Sequence, residues 1–376
     1  QISVGDAVPE EEKEAIIKLL YAFREIIAEN PKAPPAIRGL EHAITLAANF
    51  DGKPRRVRLR PHSPKEFEAV REAADNMLKG GIVQHSSSPW ACQVVLVPKP
   101  DGSLRCCCDF RALNEVTIGD AMNVPRIEDV LDRLQGATAM SALDMASGYW
   151  AVPLAKKDRE KTAFLTWSHG LLEWVRMPMG LKNAGATYQR MLQHVLGDLL
   201  WESAMNYLDD VSICSAGTDH IDDLGRVFKR LARWGVTVKM SKCNFWAEKM
   251  QYLGFLVKVG EGVMVDPAKT KDVLNLRAPK TATEVRGFIG AMNFYRRFIP
   301  DYAQLAEPIQ RLLKGKTKRM SVEKEWVADP LCELCFRALK TSLASSPVLI
   351  FPDFKKPFIV STDVSKRQIG ASLMQL

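Results

Sequence analysis

The sequence predicts an α+β fold in which a mixed domain is followed by a helical one. Strand-like segments alternate irregularly with amphipathic helices up to about residue 260, and helical periodicity prevails from 268 to 343. The short turn between strand-like segments 204–207 and 211–214 requires antiparallel pairing. The final stretch, 347–376, returns to strand character. We therefore expect four segments, with bounds 1–50, 51–260, 261–345 and 346–376.

The first part of the chain reads as a helix, a linker and a β-hairpin. Apolar residues at helical spacing predict a helix over 11–28, and a second amphipathic helix over 64–79 ends at Gly80-Gly81. The basic arm 53–60 between them fits either a phosphate contact or a solvated edge strand. Strands 92–97 and 104–110 flank the turn sequence P-K-P-D-G-S, which places Lys99 at the tip of a hairpin.

The remaining elements follow the same logic. Apolar and β-branched runs predict strands at 139–144, 172–177, 204–207, 211–214 and 252–257. Helical spacing predicts helices at 184–200, 221–234, 268–276, 282–298, 304–313 and 330–343.

Composition narrows the class of protein. At 376 residues and 47% hydrophobic content, the chain is long enough for two or three domains. No apolar run reaches the ~18 residues of a membrane span, and the acidic start does not resemble a signal peptide. The start at Gln1 suggests a piece of a longer protein. A net charge of +8 weakly favours an anionic partner such as nucleic acid. The eight cysteines form no paired framework and fit a reduced, intracellular chain.

Three aspartates are the candidate chemical site. Asp209 and Asp210 lie between two predicted hairpin strands, where an isolated pair would more often be structural because Asp is common in turns. Asp144 makes a metal-binding role more favourable than a purely structural one, since it also ends a strand-like run. Three carboxylates at neighbouring strand ends suit Mg²⁺, and two such ions can activate a hydroxyl and neutralise a leaving pyrophosphate. The pattern indicates metal-dependent nucleotidyl transfer.

Short motifs in a fixed order connect these aspartates to a known family. They are S-S-S-P-W (86–90), V-P-K-P-D-G-S (97–103), D-F-R-A-L-N (109–114), L-D (143–144) with S-G-Y (147–149), K-T-A-F (161–164), M-P-M-G-L (177–181), Y-L-D-D (207–210), S-K-C (241–243), Y-L-G-F (252–255), V-D-P (265–267) and N-F-Y-R-R-F-I-P (293–300). From about Gly39 to its last residue, the chain resembles the reverse transcriptase of Ty3/gypsy-type LTR retrotransposons, a part of the Pol polyprotein.

The resemblance implies a right-hand polymerase, with fingers and an antiparallel-sheet palm over 51–260, a helical thumb or connection over 261–345, and a truncated ribonuclease H-like start over 346–376. It implies RNA-directed and DNA-directed DNA synthesis with two Mg²⁺ ions, or Mn²⁺ as a substitute, on Asp144, Asp209 and Asp210. The implied partners are an RNA template, a DNA primer, their RNA/DNA hybrid, dNTPs and flanking protease, ribonuclease H and integrase domains, with no membrane. The implied location is intracellular, in a cytoplasmic virus-like particle or the nucleus.

Motif matching also implies roles for further residues. Lys99 and Arg105 would hold the incoming triphosphate, Tyr149 would exclude the 2′-hydroxyl, and Met179 and Gly180 would contact the nucleotide or template. The expected primer and template contacts are Leu253, Gly254, Arg286, Arg296 and Arg297. The alternatives are solvated charges and, for Tyr149, a core aromatic. The chain departs from the family pattern at two places. Trp150-Ala151 stands where many relatives have a hydrophilic pair, and Gly185 stands where a proline is frequent.

The end of the chain resembles the opening hairpin of a ribonuclease H domain. Only Asp363 of that domain's metal-binding acids is present, so we expect no ribonuclease H activity from these residues. Cys332 and Cys335 fit core or surface thiols rather than a zinc site, and none of the six histidines is assigned a catalytic role.

Two rival functions remain open. A catalytically silent nucleic-acid-binding fragment of a retroelement would be favoured by loss of one of the three aspartates, and all three are present. A bare metal-dependent nuclease or phosphatase would not need the fingers and thumb motifs. Dependence of the reaction on dNTPs would discriminate the last rival.

Overall fold

The computed structural model describes residues 3–6, 8–57, 61, 63–99, 102–122, 124–216, 219–345, 348–353, 355–364 and 369–375. The chain divides into two compact units. One contains residues 1–126 and 138–247, and the other contains residues 127–137 and 248–376. No helix among the described residues is long and apolar enough to cross a membrane.

The described residues of the first unit form three sheets. Its strands are β1 (Ser3–Val4), β2 (Val83–His85), β3 (Val94–Pro98), β4 (Leu104–Cys108), β5 (Ala139–Asp144), β6 (Phe164–Thr166), β7 (Gly170–Trp174), β8 (Ala204–Tyr207), β9 (Asp210–Ser215) and β10 (Asn244–Phe245). The largest sheet has the order β1-β10-β5-β9-β8, antiparallel except for the parallel pair β1 and β10. Strands β2, β7 and β6 form a second sheet, and β3 and β4 form a hairpin. This antiparallel core confirms the predicted α+β class.

Helices cover the large sheet and extend the unit. They are α1 (Glu10–Ala22), α2 (Pro64–Lys79), α3 (Arg111–Glu115), α5 (Gly148–Ala151), α6 (Ala184–Leu196) and α7 (His220–Trp234). Helices α6 and α7 each carry one of the largest fully buried side chains, Tyr188 and Phe228 respectively. Ile16 and Leu20 of α1 join the same hydrophobic cluster, so the N-terminal helix belongs to this core. Removing their apolar surface from water stabilises the unit by roughly 1.5–3 kcal/mol per large side chain.

The second unit combines a small sheet with short helices. Its strands are β11 (Lys249–Tyr252), β12 (Phe255–Lys258), β13 (Gly262–Val265), β14 (Leu349–Ile350), β15 (Ile359–Val364) and β16 (Ile369–Met374), and its helices are α4 (Ile127–Asp132), α8 (Pro267–Leu274), α9 (Ala282–Phe294), α10 (Tyr302–Arg311), α11 (Glu323–Ala328) and α12 (Pro330–Ala344). Strands β11 to β14 pair in order, and β15 pairs with β16. Asp266, Thr281 and Asp329 cap α8, α9 and α12 by accepting backbone hydrogen bonds.

Several predicted bounds differ from the structure. The single strand predicted over 252–257 is wrong, because Leu253 and Gly254 take positive φ angles of 51° and 85° and turn the chain between β11 and β12. The predicted helix 184–200 ends at Leu196, where Gly197 also takes a positive φ. Strand β1 was not predicted, since two residues are too short to show a period. Cys332 and Cys335 are buried thiols on α12.

Candidate active site

The turn between β8 and β9 holds two of the predicted aspartates. Tyr207 pairs with Asp210, so Leu208 and Asp209 form a two-residue hairpin turn. Leu208 has a φ of 55°, a left-handed conformation that is costly for a residue with a side chain. Its backbone N–H donates a hydrogen bond of 2.9 Å to Oε1 of Gln189, which is fully buried on α6. Helix α6 thereby fixes the turn that presents Asp209 and Asp210.

The third aspartate lies on the neighbouring strand, directly across from this turn. Asp144 ends β5 and is the register partner of Asp210, which begins β9. The structure therefore brings Asp144, Asp209 and Asp210 to one end of two paired strands, on residues that remain accessible to solvent. Lys242 donates to the Asp144 carboxylate, with 3.1 Å between Nζ and Oδ2.

The three carboxylates interact electrostatically. The pKa of the Asp210 carboxyl is raised, first by partial desolvation and then by the negative charges of Asp209 and Asp144, while Lys242 acts in the opposite direction. Like charges on neighbouring side chains destabilise one another in the absence of a counterion. The sheet end is therefore an anionic site that favours cations.

The donor set fits a hard divalent cation. Carboxylate oxygens are the ligands that Mg²⁺ prefers, and a divalent charge would offset the repulsion that, after desolvation, raises the pKa of Asp210. Among the described residues, no three His, Cys, Asp or Glu side chains form a ready-made metal site, and the Asp144 carboxylate faces Lys242 instead. A metal ion here would compete with that ammonium for the Asp144 carboxylate.

Tyr149 lies near the Asp209 carboxylate and packs against a second aromatic ring. Its ring stacks on that of Tyr188, with 5.1 Å between the ring centroids. Burial, followed by the charge of Asp209, raises the pKa of the Tyr149 hydroxyl. A Cβ on Gly148 would lie 2.4 Å from the Tyr188 hydroxyl, so glycine is required there. The ring of Tyr149 is thus held close to Asp209 by Tyr188.

The hairpin of β3 and β4 carries the two predicted cations. Arg105 pairs in register with Val97 and is exposed, while Lys99 closes the loop by accepting from Gly102 and donating to Ser103 through its backbone. Pro100 and Asp101, which follow Lys99 in the sequence, lie outside the described residues. No hydrogen bond or ion pair joins Lys99 or Arg105 to the three carboxylates in the described part of the chain.

Met179 and Gly180 form an exposed turn before α6. Gly180 has a φ of 95°, which favours glycine, and its carbonyl accepts a 2.8 Å hydrogen bond from the Asn114 side chain. The side-chain oxygen Oδ1 of Asn114 in turn accepts from the backbone N–H of Lys182. Met179 is 52% exposed. Asn114 of α3 therefore fixes the turn, and the Met179 side chain on this turn is exposed to a ligand.

The predicted primer and template residues lie in the second unit. Leu253 and Gly254 form the turn between β11 and β12, and the Gly254 carbonyl accepts from the Tyr295 hydroxyl at 3.1 Å. Arg286 donates to the Lys316 carbonyl at 2.8 Å, and Arg297 lies 3.9 Å from Asp132. Arg296 is exposed. Each arginine keeps some solvent-facing surface.

Asp363 of the predicted ribonuclease H-like segment lies in β15, where it pairs in register with Gly370 of β16. Its side chain lies outside what the structure describes.

Sequence reasoning missed three residues that shape this site. Lys242 was noted only as part of the S-K-C run, and Gln189 and Tyr188 gave no signal beyond the helical spacing of α6. Their roles depend on contacts between positions 98, 19 and 39 residues apart in the chain.

Comparison with protein families gives two matches. The model described as "Reverse transcriptase (RNA-dependent DNA polymerase)" matches residues 97–257. The model described as "RNase H-like domain found in reverse transcriptase" matches residues 329–376. The first match includes all three aspartates of the site.

Curated relatives and solved structures agree with these matches. The chain is 32% identical to the retrovirus-related Pol polyprotein from transposon 297 of Drosophila melanogaster, over 98% of this chain and 34% of the relative. It is 35% identical to that from transposon gypsy of the same organism, over 100% of this chain and 36% of the relative. The foamy viral protease-reverse transcriptase, solved in complex with RNA/DNA hybrid, has a TM-score of 0.84 at 23% identity over 98% of this chain and 49% of that chain. The chain thus spans about a third of the length of these curated relatives.

Proposed function

This chain belongs to the reverse transcriptase family, with Ty3/gypsy-type Pol polyproteins as relatives, and we propose that it catalyses RNA-directed and DNA-directed DNA synthesis during retrotransposon replication. The observation that carries the proposal is the pairing of Asp144 with Asp210 next to Asp209 at one end of β5 and β9. A site with this charge, in this family, suits transfer of a nucleotide from a dNTP to a primer 3′-hydroxyl.

In this mechanism Asp144, Asp209 and Asp210 would hold two divalent ions, with Mg²⁺ the expected metal and Mn²⁺ a substitute. When bound, such ions lower the pKa of the attacking hydroxyl and neutralise the leaving pyrophosphate. The backbone of the Leu208 turn, fixed by Gln189, keeps two of the carboxylates in place. Lys242 neutralises Asp144 when no cation is near it.

Other residues would position the nucleotide. Lys99 and Arg105 project from a hairpin and would pair with the triphosphate, because cations form charge-assisted hydrogen bonds to phosphate oxygens. Tyr149, supported by Tyr188, would exclude a 2′-hydroxyl. Met179 and Gly180 would contact the nucleotide or the template.

The second unit would hold the nucleic acid. We assign the primer contact to the Leu253-Gly254 turn and phosphate contacts to Arg286, Arg296 and Arg297. The bounds 51–260 for fingers and palm, 261–345 for the thumb or connection and 346–376 for the ribonuclease H-like segment are part of this proposal. So are flanking protease, ribonuclease H and integrase domains, an RNA/DNA hybrid as product, and an intracellular virus-like particle or the nucleus as location.

Primer extension on an RNA template tests the proposal directly. Asp209→Asn keeps the size of the side chain but removes the charge, so it should abolish extension while primer–template binding remains. Asp222→Asn, an exposed aspartate on α7, is the matched control and should extend normally. Full activity of Asp209→Asn would contradict the assignment.

A silent nucleic-acid-binding fragment remains the second candidate. It predicts that the wild-type chain binds primer and template at low salt and extends neither with Mg²⁺ nor with Mn²⁺. Extension that requires dNTPs and is lost in Asp209→Asn excludes it.

A further inference from the structure

The second half of α7 presents four cations on one face. Arg226, Lys229, Arg230 and Arg233 are spaced i, i+3, i+4 and i+7, which aligns them over about 10 Å of helix. Together with Asp198 and Leu199 of the short 3-10 helix Gly197–Leu199, they line an open cavity of about 350 Å³. These six residues are termed the basic cleft.

Two of the four cations are already neutralised. Arg226 lies 3.1 Å from Glu202 and 3.2 Å from Asp223, and Arg230 pairs with Asp198. Lys229 and Arg233 are exposed, and neither has an acidic partner within the described ranges. The cleft therefore keeps two positive charges available to an external anion.

The helix alone does not account for these charges. Cations in the last turn offset the macrodipole, but this effect falls off within one turn and so explains Arg233 only. Lys229 lies five residues before Trp234, the end of α7. Arg38 adds a further exposed cation at this end, because its Nη1 donates to the Arg233 carbonyl at 3.4 Å.

An exposed aromatic residue lies next in sequence to an acidic partner of the cleft. Trp201 is 41% exposed and has a φ of 65°, a backbone conformation that costs a bulky residue about 1–2 kcal/mol. It directly precedes Glu202, the partner of Arg226. Cations that follow a backbone and an aromatic ring that stacks on bases are the combination that binds single-stranded nucleic acid. An acidic peptide would engage the cations without using the indole.

The basic cleft lies far from the aspartates within the same unit. Helix α6 begins beside them, since a Cβ on Gly185 would lie 3.7 Å from Leu208 and 3.8 Å from the Tyr149 hydroxyl. Its 13 residues span about 20 Å and end at Leu196, next to the cleft. A ligand in the cleft is therefore not a ligand of the carboxylates.

We propose that the basic cleft and Trp201 form a second nucleic-acid site, which binds a single-stranded segment. Lys229 and Arg233 engage neighbouring backbone phosphates, and the indole of Trp201 stacks on a base. This site is additional to the polymerase site and does not depend on the proposed activity.

Photo-crosslinking tests this proposal directly. The full chain is crosslinked to a single-stranded oligodeoxynucleotide that carries 5-iodouracil. A length of about 20 nucleotides is chosen because it exceeds the 4–16 nucleotides of common single-strand sites. Peptide mapping should place a crosslink within residues 198–202. The double variant Lys229→Ala/Arg233→Ala should reduce its yield several-fold. Lys13→Ala/Lys18→Ala removes the same charge from α1 and is the matched control, which should crosslink as the wild type does.

Salt and competitors give an independent measure. Each phosphate contact to a single strand contributes about 0.7 to the slope of the log binding constant against the log salt concentration. Loss of two such contacts in Lys229→Ala/Arg233→Ala should therefore make the slope shallower by about 1.4. An absent crosslink at 198–202, or equal crosslinking by both double variants, would overturn the proposal. Equal competition by a duplex would refute the single-strand preference, and equal competition by a glutamate-rich peptide would point to an acidic protein partner instead. Asp209→Asn should keep the crosslink, so this site and the polymerase site fail separately.

Discussion

The Lys242 ammonium lies 3.1 Å from Oδ2 of Asp144, across 98 residues of sequence. Three residues before Lys242, the backbone N–H of Lys239 donates to the Asp144 carbonyl at 2.8 Å. One short segment thus fixes the backbone of Asp144 and neutralises its side chain. The charge of the candidate metal site therefore depends on a residue outside the aspartate motifs.

Replacing Lys242 with glutamine should strengthen metal binding. Lys242 opposes the like-charge repulsion among Asp144, Asp209 and Asp210, so its loss makes the site more negative. Because Lys242 is 58% exposed, solvent screening limits the effect to about 1 kcal/mol, or roughly fivefold. A Mg²⁺ titration of primer extension should show half-maximal activity at a lower concentration. Lys239→Gln is the matched control, and an unchanged or higher metal requirement in Lys242→Gln would contradict the prediction.

Gln189→Leu should loosen the turn that holds Asp209 and Asp210. The change keeps the volume of this fully buried side chain but leaves the Leu208 N–H without its acceptor, at a cost of about 1–3 kcal/mol. We expect a lower melting temperature and a fall in kcat for nucleotide insertion that exceeds any change in primer–template affinity. Gln193→Leu, four residues along α6, controls for the helix. If both variants extend primers equally well, Gln189 does not fix the turn.

Local sequence signals predicted the elements that carry the site. The predicted bounds of β5, β8 and α2 agree with the structure. Helix α2 shows why: Ser63 and Glu66 form a capping box, Pro64 occupies the first turn, and Gly80 follows the last. Each signal acts within a few residues, so the sequence displays it directly.

Long-range contacts were beyond sequence reasoning. Strand β1 pairs with Asn244 and Phe245, about 240 positions away, and two residues show no period that could predict it. The contact of Lys242 with Asp144 and the support of Tyr149 by Tyr188 arise only when separate elements pack together. The grouping of the three aspartates at strand ends was predictable, because Asp144 ends β5, Asp210 begins β9 and Asp209 lies in the turn before it. The residues that fix them were not.

Tyr149→Ala should relax sugar discrimination. The Tyr149 ring stacks on Tyr188, so its removal opens space beside Asp209 without displacing the support. We expect the ratio of kcat/KM for deoxynucleotides over ribonucleotides to fall by at least about tenfold, which corresponds to ~1.4 kcal/mol. Tyr149→Phe retains the ring and should discriminate as the wild type does. Unchanged discrimination by Tyr149→Ala would remove this residue from the proposed role.

The buried His220 should make the first unit sensitive to acid. Its ring contacts Ser141 at 2.7 Å and Ser215 at 2.8 Å, and Ser215 donates to Asp223. Burial lowers the pKa of His220 to about 4, against an ordinary value of 6.5. As the pH falls, His220 is therefore protonated at a higher pH in the unfolded chain than in the folded one.

The free energy of unfolding should accordingly be highest above about pH 6.5 and decrease as the pH falls towards about 4. For one such histidine the decrease is on the order of 3 kcal/mol. His42, whose pKa is also lowered to about 4 by burial, adds a change of the same sign. Urea unfolding at about pH 7 and about pH 5 should show a smaller loss of stability in His220→Gln than in the wild type. His85→Gln, at an exposed position on β2, should behave as the wild type does. An equal loss in all three proteins would show that the proton binds elsewhere.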